Sequence, residues 1–164
     1  MKSLAFVFGT ALLATPVLSH GQAEEKVTAE TLPKLLSGLG YEPTKVDQAI
    51  QRITIERDKF TFRLNFSVSG NTKKVWMSTY LVELPDLSKV PAKSLADALL
   101  TNSEIGPAHF YLAKVGEKVW LKMGFALDNR NITPAYLRGE IDWFLERLAE
   151  KAPVWDKAKW VPTP

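Results

Sequence analysis

The sequence predicts an α+β domain: a twisted antiparallel sheet of about five strands in the order α-βββ-α-ββ-α, with the helices packed on one face. Three observations carry that reading. KFTFRLNFSV at 59–68 alternates polar and apolar residues without a break, the period of a half-buried strand. HFYLAKVGEKVWLKMGFAL at 109–127 gives two strand-like runs about a Gly-Glu pair, which reads as a hairpin. Leu137, Ile141, Phe144, Leu145 and Leu148 recur at helical spacing behind a Thr-Pro start, so a long helix closes the domain.

The first element of the chain is not expected to belong to the fold. Residues 1–23, MKSLAFVFGTALLATPVLSHGQA, hold one early cation at Lys2, an uncharged apolar run to about Leu18, and small residues at Gly21 and Ala23. That is the layout of a secretory signal peptide, too short in its apolar part for a membrane-spanning helix, which takes about 20 residues. Cleavage is expected after Ala23, with Ser19 the second choice. A retained signal anchor is the plainer alternative, and the absence of any Cys rules out a lipid anchor.

The domain itself is expected over 24–152, with an extended tail rich in Trp and Pro over 153–164. TAETLPKLLSGLG at 28–40 offers Thr28 and Thr31 as caps, Pro33 in a first turn and glycines as stops, a short helix. YEPTKVDQ has no period and reads as a connector. AIQRITIE then starts to alternate, with Ile53 and Ile55 on one side. In the next strand Phe60, Phe62, Leu64, Phe66 and Val68 face one way, and Lys59, Thr61, Arg63, Asn65 and Ser67 the other. SGNTKK supplies Gly70 and Asn71 for a turn, and VWMSTYLVEL completes a meander closed by Pro85.

PAKSLADALLTN at 91–102 is expected to be the second helix, with Leu95, Ala98 and Leu99 on its buried stripe and Asn102 as its end. The hairpin that follows needs a positive φ at Gly116, as a type II′ turn does. Asp128 to Asn131 form a connection, then Thr133 caps, Pro134 takes the first helical position, and Ile132 and Leu137 form a hydrophobic staple. The polar knot DNRN therefore has a sufficient structural reason.

Composition narrows the function. With 46% hydrophobic and 24% charged residues the chain has the make-up of a folded domain. It contains no Cys, which excludes thiol chemistry and fits an exported bacterial domain large enough to fold without disulfides. Loss of residues 1–23 removes only Lys2 among the charges, so Lys and Arg fall from 21 to 20 against 18 acids, a net +2. So small an excess with no basic block points to no nucleic acid, and no stable membrane insertion is expected after cleavage.

No catalytic, cofactor or metal site is expected either. His109 is the one histidine beyond residue 23, and no metal-ligand spacing, nucleophile elbow or Gly-rich phosphate loop accompanies it. The residues that stand out are aromatic. If the alternating apolar positions face the helices, Trp76, Tyr80, Tyr111 and Trp120 project from the opposite face near Arg63 and Lys122, a candidate surface for a protein partner or a second copy. The competing reading is that the tail, with Trp155 and Trp160, covers that face.

LLSGLGYEP (35–43), NSEIGPAHFYL (102–112) and NRNITPAYLRGEIDWFLERL (129–148) in this element order resemble the type III secretion chaperone-like fold, to which the YbjN-like group of bacterial sensory transduction regulators also belongs. The resemblance spans most of the chain beyond the signal segment. It implies a protein-binding or regulatory module, not an enzyme. Secretion chaperones are acidic and cytoplasmic, so what carries over to a mildly basic, exported chain is the architecture. The expected function is a non-enzymatic, exported protein-binding or regulatory module of the bacterial envelope. The alternatives are a small-ligand carrier whose aromatic face closes into a pocket, or an envelope hydrolase using His109 or a carboxylate pair.

Overall fold

The computed structural model describes residues 26–161. The expected signal peptide at 1–23 and the end of the tail, 162–164, lie outside them. The elements run α1 (Leu32–Gly38), β1 (Thr44–Lys45), β2 (Ile50–Arg57), β3 (Phe60–Val68), β4 (Lys74–Leu84), α2 (Ala92–Thr101), β5 (His109–Val115), β6 (Lys118–Asp128), α3 (Pro134–Glu150) and α4 (Lys157–Trp160), with a 3₁₀ turn at Leu87–Lys89. Mixed helix and open antiparallel sheet make this an α+β fold.

The sheet has six strands in the order β1-β2-β3-β4-β6-β5, one more than the sequence led us to expect. The extra strand is the two-residue β1, in the stretch read as a connector. Thr44 pairs with Arg52 and Lys45 with Gln51. Both β1 residues are exposed, so no apolar period marks them.

Two tight turns build the meander. Asp58 takes φ 54 between β2 and β3, and Thr72 takes φ 54 between β3 and β4. In the second turn the Asn71 side chain accepts from Lys73 N at 3.0 Å and from Ser69 Oγ at 2.8 Å, an Asx arrangement that fixes the bend. Gly116 has φ 61 at the head of the β5–β6 hairpin, the positive value a type II′ turn requires there.

β3 and β4 are paired only from Leu64–Thr79 to Val68–Val75. Beyond Leu64 the two strands part: Phe60 to Arg63 stay with β2, while the far half of β4 stays with β6. A register shift between Tyr80 and Val82 marks the same place on β4, and a bulge of this kind bends its strand away from a neighbour.

One apolar core unites the sheet and the helices. Phe62, Leu64 and Phe66 of β3, Val75 and Met77 of β4, and Leu121, Met123 and Phe125 of β6 meet Leu32, Leu36 and the α3 residues Leu137, Ile141, Phe144, Leu145 and Leu148. The rings of Phe125 and Phe144 lie 5.4 Å apart. Thr133 caps α3 by accepting from Tyr136 N at 3.1 Å, Pro134 follows it, and Ile132 and Leu137 are both buried.

The stripe of α2 differs from the expected one. Ser94, Ala98 and Thr101 are buried, whereas Leu99 and Leu100 are each 69% exposed. The polar members of the buried stripe are satisfied where they sit: Ser94 Oγ donates to Lys159 O at 2.7 Å, and Thr101 Oγ1 to Asp97 O at 2.8 Å. Ala98 is buried and Leu95 packs against the core as expected, so of the expected stripe only Leu99 faces away.

The tail is not extended. Asp156 accepts from Ala158 N at 3.1 Å and caps α4, and the Trp160 indole donates to Val154 O at 2.8 Å with the ring 1% exposed. Trp155 donates to Leu148 O at 2.9 Å and its ring lies 5.6 Å from Phe60. Both indoles are therefore engaged on the helix side of the sheet.

Candidate functional site

The face turned away from the helices is built from the alternate positions of four strands. In register, Tyr80 of β4 stands opposite Lys122 of β6, which stands opposite Tyr111 of β5. Trp76 lies opposite Ala126, and Trp120 opposite Ala113. Ala126 and Ala113 leave the rings room on one side, and on β4 Trp120 faces Glu83.

Lys122 is the centre of this cluster. Its Nζ is 4.4 Å from the Tyr80 ring centroid and 5.5 Å from that of Tyr111, inside the range of a cation–π contact. Trp120 meets Tyr80 edge to face at 5.2 Å. Trp76 remains 44% exposed at the border. Burial lowers the pKa of the Lys122 ammonium. Burial likewise raises that of the Tyr111 phenol, an effect the Ser78 hydroxyl partly offsets.

Between these side chains lies a pocket of about 190 Å³ lined by Asn65, Ser67, Trp76, Tyr80, Tyr111 and Lys122 among others. Asn65 projects into it from β3 and is 6% exposed. Its Oδ1 accepts from Arg52 Nε at 2.8 Å, while its Nδ2 is buried without a hydrogen-bond partner. Sequence reasoning placed Asn65 on the wet face with Arg63 and Ser67 and missed its burial. That burial is set by neighbours on adjacent strands, which alternation within one strand does not show.

Where β3 and β4 part, a cleft of about 730 Å³ opens beside the pocket. It runs from Arg52, Arg63 and Trp120 on the outer face to Phe60 and Trp155 on the helix side, and Tyr80 forms a wall of both spaces. The structure thus gathers five of the six candidate residues, Trp76, Tyr80, Tyr111, Trp120 and Lys122, around one centre. Arg63 stands apart from that centre, exposed and on the far lip of the cleft. The described tail residues leave the aromatic cluster uncovered, since Trp155 and Trp160 are held on the other side.

His109 sits at the edge of the same face, its ring 5.3 Å from that of Tyr111. Among the described residues no group of three or more His, Asp and Glu could hold a metal ion, and no helix is long and apolar enough to cross a membrane.

Asn129, from the polar knot before α3, is structural. Its Oδ1 accepts from Val27 N at 2.9 Å, and its Nδ2 donates to Val27 O at 2.7 Å and to Thr72 O at 2.9 Å. Gly124, opposite Ser78, is a second residue whose role the sequence did not reveal. A Cβ there would stand 2.7 Å from Met77 O and 2.8 Å from Ser78 Cβ, so its lack of a side chain lets β4 and β6 close beneath the aromatic cluster.

No family model matches the chain, and no curated protein matches it. Among solved structures the fold is similar to that of a chain in the heterodimeric ExoU–SpcU complex from the type III secretion system of Pseudomonas aeruginosa. The TM-score is 0.52 at 15% identity, over 76% of this chain and 98% of that one. That likeness is one of fold.

Proposed function

We propose that this protein is an exported, non-enzymatic binding module that holds a protein partner, or a second copy of itself, on the outer face of its sheet. The observation that carries the reading is the cluster of Trp76, Tyr80, Tyr111 and Trp120 around Lys122, which neither the helices nor the described tail covers. Aromatic residues about a half-buried cation form the kind of surface from which interface hot spots are drawn. The similarity to a chain that occurs in a heterodimeric complex supports the same reading. Export rests on residues 1–23 as a signal peptide, and kinship with the YbjN-like regulators rests on the sequence resemblance.

The test is the solution mass of the purified chain across a concentration series, alone and in the presence of envelope extract. Trp76→Ser with Trp120→Ser is expected to abolish association while leaving the fold intact by circular dichroism. Association that survives both changes would remove the outer face from consideration.

A further inference from the structure

Around the pocket and the cleft stand four cations, Lys122, Arg52, Arg63 and Lys59, and no carboxylate lines either space. None of the four takes part in an ion pair among the described residues. The ion pairs of Lys74 with Asp128 and of Lys118 with Glu83 flank the same face on β4 and β6, outside the two spaces. The absence of carboxylates is local to the linings of the two spaces.

A second observation points the same way. The Asn65 Nδ2 group is a buried donor with no acceptor, and leaving such a group unsatisfied is costly unless something is to fill the position. The adjoining groups are the Lys122 ammonium, the hydroxyls of Ser67 and Ser78, and the two tyrosines. With Asn65 Oδ1 taken by Arg52, the Lys122 ammonium and the Asn65 Nδ2 group are donors, and a carboxylate is the acceptor that satisfies them together. At about 190 Å³ the pocket has room for a side-chain carboxylate and its stem.

The cleft on the other side of Tyr80 is different in kind. Phe60, Phe62, Leu81, Trp120 and Trp155 give it apolar walls. It exists because no strand pair joins β3 to β4 beyond Leu64–Thr79, so main-chain groups along Phe60 to Arg63 that turn toward β4 find no strand partner there.

We propose that the outer face recognises an acidic-apolar segment of a partner protein: a Glu or Asp carboxylate enters the pocket between Lys122 and Asn65, and a neighbouring bulky apolar side chain enters the cleft between β3 and β4. Tyr80 divides the two subsites. Arg63 and Arg52 on the cleft lip favour further acidic residues in the same segment. This inference rests on the reading of the outer face as the interface and adds the partner's chemistry to it.

The experiment is an array of short peptides carrying one Glu and one Leu or Trp at every spacing within six residues, with Gln and Lys replacing Glu in parallel sets. Binding is read by fluorescence anisotropy on the purified protein, and the Asn65 side-chain amide is followed by NMR. Glu peptides of a preferred spacing are expected to bind at least about tenfold more tightly than their Gln counterparts, the worth of one charge-assisted hydrogen bond, and to move the Asn65 amide signal.

Lys122→Met and Asn65→Asp should each bring Glu peptides down to the Gln level. The second change keeps an acceptor for Arg52 but offers the pocket a negative charge. Equal binding of Glu and Gln peptides that is lost in the Trp76→Ser, Trp120→Ser protein would overturn the carboxylate assignment and leave the interface standing. No binding by any peptide would overturn the proposal. So would dodecanoate binding at concentrations where every peptide fails, which would assign the same groups to a small amphipathic acid.

Discussion

The side-chain amide of Asn129 clasps the main chain of Val27, accepting its N–H at 2.9 Å and donating to its carbonyl at 2.7 Å across 102 positions of sequence. A third bond, to Thr72 O at 2.9 Å, ties the β3–β4 turn to the same side chain. Asn129→Ala should cost about 3 kcal/mol, because it strands buried main-chain groups. Asn129→Asp should cost at least as much despite its matching shape, since it replaces two donated bonds by oxygen facing oxygen. Urea unfolding of the three proteins measures both.

Gly124 and Gly139 make an internal control for one another. Alanine at 124 has no space between Met77 O and Ser78 Cβ and should destabilise by about 1–3 kcal/mol. Alanine at 139, inside α3 with nothing within 4 Å of its Cβ, should stabilise by about 0.5–1 kcal/mol. Opposite shifts in thermal midpoint are expected from one and the same substitution.

Trp160 makes the tail part of the core. Trp160→Ala should cost about 3–5 kcal/mol, the usual range for a buried aromatic. A fully exposed tail would give a change near zero in the same unfolding experiment.

Lys122 gives an alkaline signature. Burial lowers its pKa in the folded protein below the unfolded value, so between the two the unfolded chain holds more protons and stability rises with pH. The cost of the half-buried ammonium is present in full below the folded pKa and is relieved as pH climbs toward the usual lysine value of about 10.4. Lys122→Met has no such cost to relieve. The parent should therefore gain on the variant as urea midpoints are compared from about pH 7 to about pH 9. A constant difference would show that Lys122 is not desolvated.

The parts of the fold that could be read from sequence are those where one chain segment meets both water and core. β3 shows its alternation because Phe62, Leu64 and Phe66 are buried while Thr61 and Arg63 are wet. The start of α3 was legible because cap, proline and staple act within a few residues. β1 was invisible because two exposed residues at a sheet edge need no apolar period. The stripe of α2 was legible at Leu95 and Ala98 but not at Leu99, because the buried Ser94 bonds to Lys159 O of the tail, a contact that pattern does not record. At the site, the shared face of Trp76, Tyr80, Trp120 and Lys122 follows from alternation on two strands. Its depth does not: the orphaned Asn65 amide and the parting of β3 from β4 depend on how strands sit against one another, and β4 slips phase at Tyr80 with no break in its apolar run.

The strand order has a consequence for how the molecule comes together. β2, β3 and β4 are joined by tight turns, and so are β5 and β6, so each group can form from contacts close in sequence. The hairpin then has to dock by its β6 edge against β4, and the β4–β6 seam closes the largest loop of the sheet. Tyr80 and Trp76 belong to one group, and Tyr111, Trp120 and Lys122 to the other. The aromatic cluster is thus assembled only by the docking step, and amide exchange along the seam should report its loss before either group unravels. A partner held on this surface selects the fully docked chain and, by mass action, opposes the opening of the joint it spans.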